Sequence, residues 1–288
     1  MSSNILLVAK NWRRAGARPP WLNVRLLLPA LFILLLILAM FFPTLFSRYT
    51  ANDMDFAAIL QPPSSSHWFG TDQLGRDVFA RVLFGSALSL NIGVGATLIA
   101  CLGGIALGTV AALAPRLIRQ VMVRVLDVLL AFPDLLLALL AIAVLGRGAA
   151  NTLLAVGVAG IAGYARLVRS QVLQVKLSGY VQHAVALGES PAWIIFRHIV
   201  PNTTRPLLIL ATIGVGHAVL SASALSFLGL GVAPPTAEWG ALLSDGRNFL
   251  DSAPWISLLP ASVIALTVIA ITLLGRALQS LVAKGRVL

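Results

Sequence analysis

Charged residues and cysteine are scarce in this sequence, and both shortages narrow the possible folds. Only 11% of the 288 residues are charged, whereas 58% are hydrophobic and the mean hydropathy is +0.91. The surface of a soluble domain needs roughly a quarter charged residues, so a single soluble domain is excluded. The one cysteine, Cys101, lies in an apolar run and supplies neither a disulfide framework nor a thiolate metal site. The composition indicates a polytopic membrane protein.

Motifs of catalysis and of nucleic-acid recognition are also missing. The sequence has no G-x-x-x-x-G-K-[ST] segment, so we predict that the chain does not bind ATP through a P-loop of its own. Its four histidines form no H-E-x-x-H pair, which argues against an intramembrane zinc protease. The net charge of +11 is spread between apolar runs without an aromatic platform, so a nucleic-acid partner is not expected. We therefore predict no catalytic residue and no metal ligand in this chain.

Six apolar runs are long enough to cross a bilayer as helices. The first is too long for the core of a signal peptide and is predicted to remain as a membrane helix. Pro133 is expected to kink the third, and Gly104 and Gly108 offer the second a face for close helix contact. The predicted spans are residues 26–46, 86–114, 121–145, 152–168, 201–232 and 255–275. The predicted fold class is thus all-α, with the lipid bilayer as solvent.

The distribution of charge predicts the orientation of these spans. Sixteen of the 21 Lys and Arg residues fall in the N-terminal tail, after span two, around residues 166–205, or in the C-terminal tail. Seven of the 10 acidic residues fall instead in two loops, residues 47–85 and 233–255. Because basic loops stay on the cytoplasmic side, both termini are predicted to be cytoplasmic and the two acidic loops external.

The segment Ser178–Pro201, which we call the elbow loop, is a polar and amphipathic stretch between the fourth and fifth predicted spans. Ser178 is a possible N-cap of a first short helix, and Gly188 stands where a left-handed residue would end it. Ser190 and Pro191 are typical of the start of a second short helix. Two short helices at an elbow would lie on a membrane surface or fit a groove in a soluble partner.

The elbow loop resembles the cytoplasmic loop of the membrane subunits of ATP-binding-cassette importers. That loop has the pattern E-A-A, three residues, G, nine residues, I-x-L-P, of which Ala184, Gly188 and Pro201 match strictly. Gln182 and His183 depart from it, so an ion pair made by the usual glutamate would become a neutral hydrogen bond. The rival interpretation is an ordinary interfacial connector.

Two further segments bring the resemblance to nearly the whole chain and narrow it to the peptide and nickel branch of this family. Residues 70–77, GTDQLGRD, match a G-T-D-x-x-G-R-D signature ahead of the core domain, and residues 234–240, PPTAEWG, match an outside loop of the same permeases. Thr71 or Asp72 is expected to cap the helix of the second span. An adjacent Arg and Asp more often hold a loop together than touch a substrate, so we predict a structural role for the first segment.

The resemblance implies a permease subunit of a binding-protein-dependent importer in the bacterial inner membrane, working by alternating access. A second, homologous permease subunit, two cytoplasmic ATPase subunits that bind ATP and Mg²⁺, and an extracytoplasmic solute-binding protein are the implied partners. Residues 1–85 would form the tail, first helix and periplasmic loop, and residues 86–288 the permease core. The elbow loop between helices 4 and 5 would couple to the ATPases. The implied coupling residues are Tyr180, Gln182, His183, Ala184, Gly188, Val200 and Pro201.

Asp134 and His217 are the polar side chains predicted to lie within the bilayer core. A carboxylate facing lipid is unfavourable by roughly 2.5 kcal/mol or more, so both side chains should face the bundle interior or the translocation pathway. For Asp134, capping the helix half after the Pro133 kink is an equal alternative. A carboxylate and an imidazole could bind either a peptide or a nickel or other metal chelate. The sequence around His217 slightly favours a metal solute.

A self-contained secondary transporter or channel is the alternative function. That class predicts inverted repeats, broken half-helices in corresponding positions and several intramembrane charges. The sequence has one clearly intramembrane carboxylate and no convincing halves, which favours the ATP-driven importer.

Overall fold

The computed structural model describes residues 24–283, and helices dominate this range. Within it lie ten α-helices, numbered α1 to α10 in chain order. They are α1 Val24–Phe41, α2 Val78–Leu113, α3 Arg116–Leu130, α4 Asp134–Leu145, α5 Ala149–Lys176, α6 Gly179–Ala186, α7 Pro191–Trp193, α8 Val200–Phe227, α9 Trp239–Gly246 and α10 Trp255–Ala283. A π-helix, Ile194–Ile199, joins α7 to α8. The predicted all-α membrane fold is confirmed.

Four helices in the described range are long and apolar enough to span a membrane: α2, α5, α8 from Pro206, and α10 as far as Ser280. α1 is a shorter apolar helix, because Pro43 starts a 3₁₀ turn just after it. α3 and α4 qualify only as a pair, which gives at most five spans for residues 24–283. The predicted count of six is therefore not confirmed. The predicted tail up to residue 23, and Lys284 and Arg286, lie outside the described residues.

The predicted third span is interrupted rather than kinked. α3 and α4 meet at an angle of 96°, and Pro133 between them has an extended backbone, with φ −58° and ψ 134°. Proline lacks the N–H that a continuous helix needs and disfavours helical geometry in the residue before it. The helix consequently stops at Leu130 and restarts at Asp134. The predicted kink at Pro133 is therefore in the right place, but the structure breaks the helix there instead of bending it.

α2 and α5 form the closest helix pair of the bundle. A Cβ atom at Gly104 would overlap the side chain of Tyr164, and one at Gly108 would overlap the carbonyl oxygen of Ala165. The two glycines therefore let the α2 and α5 backbones approach each other, as the small-x-x-x-small pattern predicts.

The molecule has two distinct ends, joined by α2. The N-terminus of α2 follows the loop of residues 47–77, and its last residue, Leu113, lines a cavity with side chains of the elbow loop. We call these the loop end and the elbow end. The loop end also includes residues 233–254.

At the loop end, the Asp72 carboxylate organises its own turn. It accepts hydrogen bonds from the N–H groups of Leu74 (2.9 Å) and Arg76 (3.0 Å) and from Nε of Arg76 (2.7 Å). Arg81 lies 3.8 Å from both Asp72 and Asp245, so this turn is connected to α9. Burial raises the pKa of the Asp245 carboxyl, and the charge of Arg81 opposes that shift. The buried charges hold the loop together, as predicted.

Asp77 caps α2. Its carboxylate accepts a 2.6 Å hydrogen bond from the N–H of Ala80 and lies 2.9 Å from Nδ1 of His67. The prediction that Thr71 or Asp72 would provide this cap was wrong. The Asp72 carboxylate is already occupied within the turn, and the Thr71 hydroxyl accepts from the Gln61 N–H at 2.8 Å.

The PPTAEWG segment anchors α9 against α2. Glu238, with 1% of its surface exposed, accepts from the N–H groups of Gly240 and Ala241 and from the Ser89 hydroxyl, each at 3.0 Å. The fully buried Trp239 donates its indole N–H to the carbonyl of Val82 at 2.9 Å. A helix N-terminus stabilises a carboxylate, so Glu238 is both a cap and a buried connector.

Candidate functional site

The first half of the elbow loop folds as predicted, as the short helix α6. Ser178 precedes it in an extended conformation, although its hydroxyl donates to the Val175 carbonyl at 2.5 Å rather than capping α6. Gly188 follows with a φ of +79°, and nothing lies within 4 Å of the position its Cβ would take. Only the backbone conformation, and not crowding, therefore requires glycine at this position.

The second half is not a separate helix but the beginning of a long one. The Ser190 hydroxyl accepts from the Trp193 N–H at 3.3 Å, which confirms the predicted cap, and Pro191 occupies the first turn. The helix then widens into the π-helix and runs into α8 without a break. Pro201 has no N–H for the carbonyl four residues earlier, which accounts for the wider register before it. Pro201 thus lies in the first turn of α8, within one continuous helix that begins at Pro191.

The two faces of α6 differ in what they contact. Val181 and Ala184 are buried, in a cluster with Ala112, Val168 and Val172 of α2 and α5. Ala184 therefore faces the core of the protein rather than its surface, and its implied role in coupling remains a prediction. A small residue is needed there because α6 packs closely on the bundle. Tyr180, Gln182, His183 and Gly188 are exposed and remain candidates for contact with a partner.

An apolar patch covers the outer surface of the elbow loop. Leu187 is 82% exposed and Phe196 75%, and Arg197 lies over the Trp193 ring at 5.9 Å. The other exposed apolar side chains of the patch are Tyr180, Val185 and Trp193. Large exposed apolar side chains concentrated in one segment indicate an interaction site.

Glu189 and His198 join the two halves of the elbow loop. The carboxylate Oε2 of Glu189 lies 3.1 Å from Nε2 of His198, and the His198 ring lies 6.3 Å from the Tyr180 ring. Sequence reasoning did not identify Glu189, because a contact between two half-buried polar residues nine positions apart leaves no periodic signal. The pair bridges the turn at Gly188 and holds the angle between α6 and the π-helix.

Asp134 and His217, the two predicted pathway residues, line the same cavity. It has a volume of about 410 Å³ and lies between α2, α4, α5 and α8. Asp134 is the first residue of α4, where the helix dipole stabilises a carboxylate. The alternative role, capping of the helix half after Pro133, is not seen, because Pro133 itself occupies the N-cap position and no side-chain hydrogen bond caps α4. Both side chains are exposed to the cavity or its surroundings rather than enclosed in the core.

Sequence reasoning missed Tyr164, which lines this cavity with Thr97. A Cβ at Gly214 would overlap the Tyr164 hydroxyl, so the glycine of α8 makes room for the phenol ring of α5. The only available signal was a lone tyrosine within a glycine-rich span.

Side chains that could complete a metal site do not meet in the described residues. No group of three or more His, Cys, Asp or Glu side chains in residues 24–283 could hold a metal ion. Asp134 and His217 alone provide two ligands, whereas transition-metal sites in proteins usually have at least three from the protein.

Comparison with known proteins gives one family and several relatives. Residues 104–287 match the family model described as binding-protein-dependent transport system inner membrane component. The dipeptide transport system permease protein DppC of Alkalihalophilus pseudofirmus is 41% identical over 85% of this chain and 80% of its own length. The glutathione transport system permease protein GsiD of Escherichia coli O157:H7 is 42% identical over 87% of this chain and 83% of its own.

Solved structures show the same fold at low sequence identity. A chain of the MetNI methionine ABC transporter, from inward facing conformations, superposes with a TM-score of 0.57 at 16% identity, over 70% of this chain and 96% of that one. An amino acid ABC transporter with histidines gives 0.53 at 18% identity, over 71% of this chain and 94% of the other. These likenesses concern the fold alone.

Proposed function

Because this chain belongs to the family of binding-protein-dependent transport system inner membrane components, we propose that it lines the path of small peptides through an ABC importer. As a member of that family it is a permease subunit in the bacterial inner membrane and not an enzyme. The observation that carries the proposal is the cavity shared by Asp134 and His217, positioned on helices that connect to the elbow loop.

The chemistry of the cavity suits a peptide. The Asp134 carboxylate can accept hydrogen bonds from a peptide ammonium group, and His217 and Tyr164 can donate to or accept from its amide groups. The relatives named for dipeptide and glutathione transport support this solute class over nickel. A metal chelate remains the second candidate, since a chelator would supply the ligands that the cavity lacks.

The cavity needs a second wall. It opens on one side of the bundle, where α4, α5 and α8 present their exposed faces. We propose that a second, homologous permease subunit closes it, so that the path lies between two subunits. The family implies ATPase and binding-protein partners in general. We propose that two ATPase subunits carrying ATP and Mg²⁺ dock on the elbow loop and that the binding protein docks at the loop end.

The elbow loop is mechanically linked to the cavity. The π-helix continues into α8, which carries His217, while α6 is packed on the ends of α2 and α5. A partner that pushes on Trp193 and Phe196 would therefore move the wall of the cavity. ATP binding must favour one arrangement of the helices over the other for solute to be pumped. We propose Tyr180, Gln182 and His183 as further contacts, with Gly188, Val200 and Pro201 setting the geometry.

The test is uptake of labelled dipeptide and glutathione by proteoliposomes containing the whole purified complex. We expect uptake to require ATP, the ATPase subunits and the binding protein, and to stop when any one is omitted. Uptake by this chain alone, driven by an ion gradient, would contradict the proposal and support a secondary transporter. ATP-driven uptake of a nickel chelate, without peptide uptake, would support the proposed mechanism but contradict the proposed peptide solute.

A further inference from the structure

α3 is an amphipathic helix at the elbow end that belongs to no continuous span. Its inner face is packed: Leu126 is buried with Ala111 of α2 and with Ala162 and Ala165 of α5. Because of the 96° bend at Pro133, the axis of α3 is nearly perpendicular to the axis of α4. α4 is apolar and packs along α5, which is a membrane span. α3 therefore lies close to the plane of the membrane.

A second apolar face of α3 is exposed. Leu117 is 74% exposed, Val121 53%, Val125 44% and Val128 60%. These residues are spaced i, i+4, i+8 and i+11, so they form one stripe along the helix. The stripe adjoins the packed face, and the two together form a broad apolar arc.

Arginines lie beside this arc. Arg116, Arg119 and Arg124 are all exposed, and Arg119 and Arg124 line, together with Arg169, a surface cavity of about 620 Å³. The single carboxylate there, Asp127, lies 3.8 Å from a guanidinium nitrogen of Arg166. The surface is therefore strongly positive, and its basic character places the elbow end at the cytoplasmic leaflet.

We propose that α3 is an in-plane membrane anchor that selects anionic phospholipid. Its exposed apolar stripe enters the acyl-chain boundary of the cytoplasmic leaflet, and Arg116, Arg119 and Arg124 bind the headgroup phosphates. Long basic side chains reach from an apolar face to the headgroup layer, and an anionic leaflet attracts them. In a bilayer, an anionic headgroup layer lies next to an apolar acyl-chain layer. α3 presents an apolar stripe and arginines that match these two layers, which favours lipid over a second permease subunit.

The first experiment measures the depth of the stripe in the whole transporter complex, reconstituted in phosphatidylcholine nanodiscs. Val121→Cys and the adjacent Gln120→Cys, on the polar face, are each labelled with an environment-sensitive fluorophore. Cys101 is buried, so the unsubstituted protein is the control for unwanted labelling. We expect acyl-brominated lipid to quench the label at 121 at least about threefold more than the label at 120, and aqueous iodide to do the reverse.

Two outcomes would overturn the anchor. A label at 121 that neither bromolipid nor iodide quenches would show that a protein subunit covers the stripe. Labels at 120 and 121 that iodide quenches equally would show that the stripe faces water.

The second experiment tests the choice of headgroup. In nanodiscs containing spin-labelled phosphatidylglycerol or spin-labelled phosphatidylcholine, the label at 121 should be quenched more by the anionic lipid. Each arginine is expected to contribute on the order of fivefold to this preference. The triple variant Arg116→Gln, Arg119→Gln, Arg124→Gln should lose it.

A matched triple variant provides the control. Arg48→Gln, Arg147→Gln and Arg247→Gln remove the same charge from exposed positions toward the loop end, and should leave the preference unchanged. Equal loss in both triple variants would show a nonspecific charge effect. If the α3 variant retains the preference for anionic lipid, its arginines do not bind the headgroups.

Discussion

At the scale of single residues, the cavity is lined by a carboxylate at the start of α4 and by an imidazole on α8. The helix N-terminus lowers the cost of holding the Asp134 charge in an apolar bundle. A carboxylate at that position would suit a cationic group of the solute, because hydrogen bonds to charged groups are stronger than neutral ones.

We expect Asp134→Asn to reduce ATP-driven uptake of a dipeptide about tenfold or more, since a hydrogen bond to a charged group contributes roughly 1.5–3 kcal/mol. His217→Ala should reduce it less. Assembly and basal ATP hydrolysis should persist in both, as neither side chain is in the buried core.

An N-acetylated dipeptide provides the control for Asp134, since it lacks the ammonium group. The difference between wild type and Asp134→Asn should shrink for this solute, measured as initial uptake rates. If Asp134→Asn transports the free dipeptide at the wild-type rate, Asp134 serves only as a residue of the helix start.

Gly188 is the other position where a single residue carries a prediction. Gly188→Val should abolish solute-stimulated ATP hydrolysis, because a β-branched residue resists the φ of +79° while meeting no neighbour. Gly179→Val is the matched control: nothing lies within 4 Å of its Cβ position either, and its φ is not positive. Equal loss in the two variants would attribute the effect to the added bulk on the surface of the elbow loop instead of to the backbone angle.

At the scale of elements, α6 is a short helix with an inner face that packs and an outer face that is free. Val181 and Ala184 join the core cluster, while Gln182 and His183 point away from it. Ala184, which matches an alanine of the E-A-A pattern, is thus a packing residue in this chain. The coupling contacts that we propose would therefore be made by the neighbours of Ala184 and by the exposed apolar patch.

Ala184→Asp should lower the thermal unfolding temperature and the yield of the complex, because a buried carboxylate without a partner is unfavourable. Gln182→Asp adds the same carboxylate two residues away on the exposed face, and should leave the unfolding temperature unchanged. The measurement is thermal denaturation of the detergent-solubilised complex. A stable Ala184→Asp variant that has lost only ATPase stimulation would contradict the buried position.

At the scale of the whole molecule, we predict that the loop end and the elbow end face opposite sides of the membrane. Reporter fusions near Arg119 and Gly188 should be cytoplasmic, and those near Ser65 and Asp245 external, because the basic residues are concentrated at the elbow end. Labelling of a cysteine at Gly188 from outside intact cells would contradict this orientation. It would also exclude any cytoplasmic ATPase from the elbow loop.

The amino-acid sequence by itself determined the elements whose cause is local. Long apolar runs form helices wherever a bilayer is the solvent, Ser190 and Pro191 start a helix, and a glycine at 188 permits the left-handed turn. These features depend on residues within a few positions of one another, so periodicity and capping rules are sufficient to predict them.

Only the tertiary structure decided where these elements meet. It turned α3 by 96° away from α4, buried Ala184, brought Asp134 to the same cavity as His217, and assigned the α2 cap to Asp77. The burial of Ala184 and the shared cavity depend on partners distant in sequence, such as the packing of α6 on α2 and α5. The α2 cap was instead decided between neighbouring side chains, because the Asp72 carboxylate is already used by its own turn. Pairwise packing and competition for hydrogen bonds leave no periodic trace in the chain, which is why the sequence alone could not determine them.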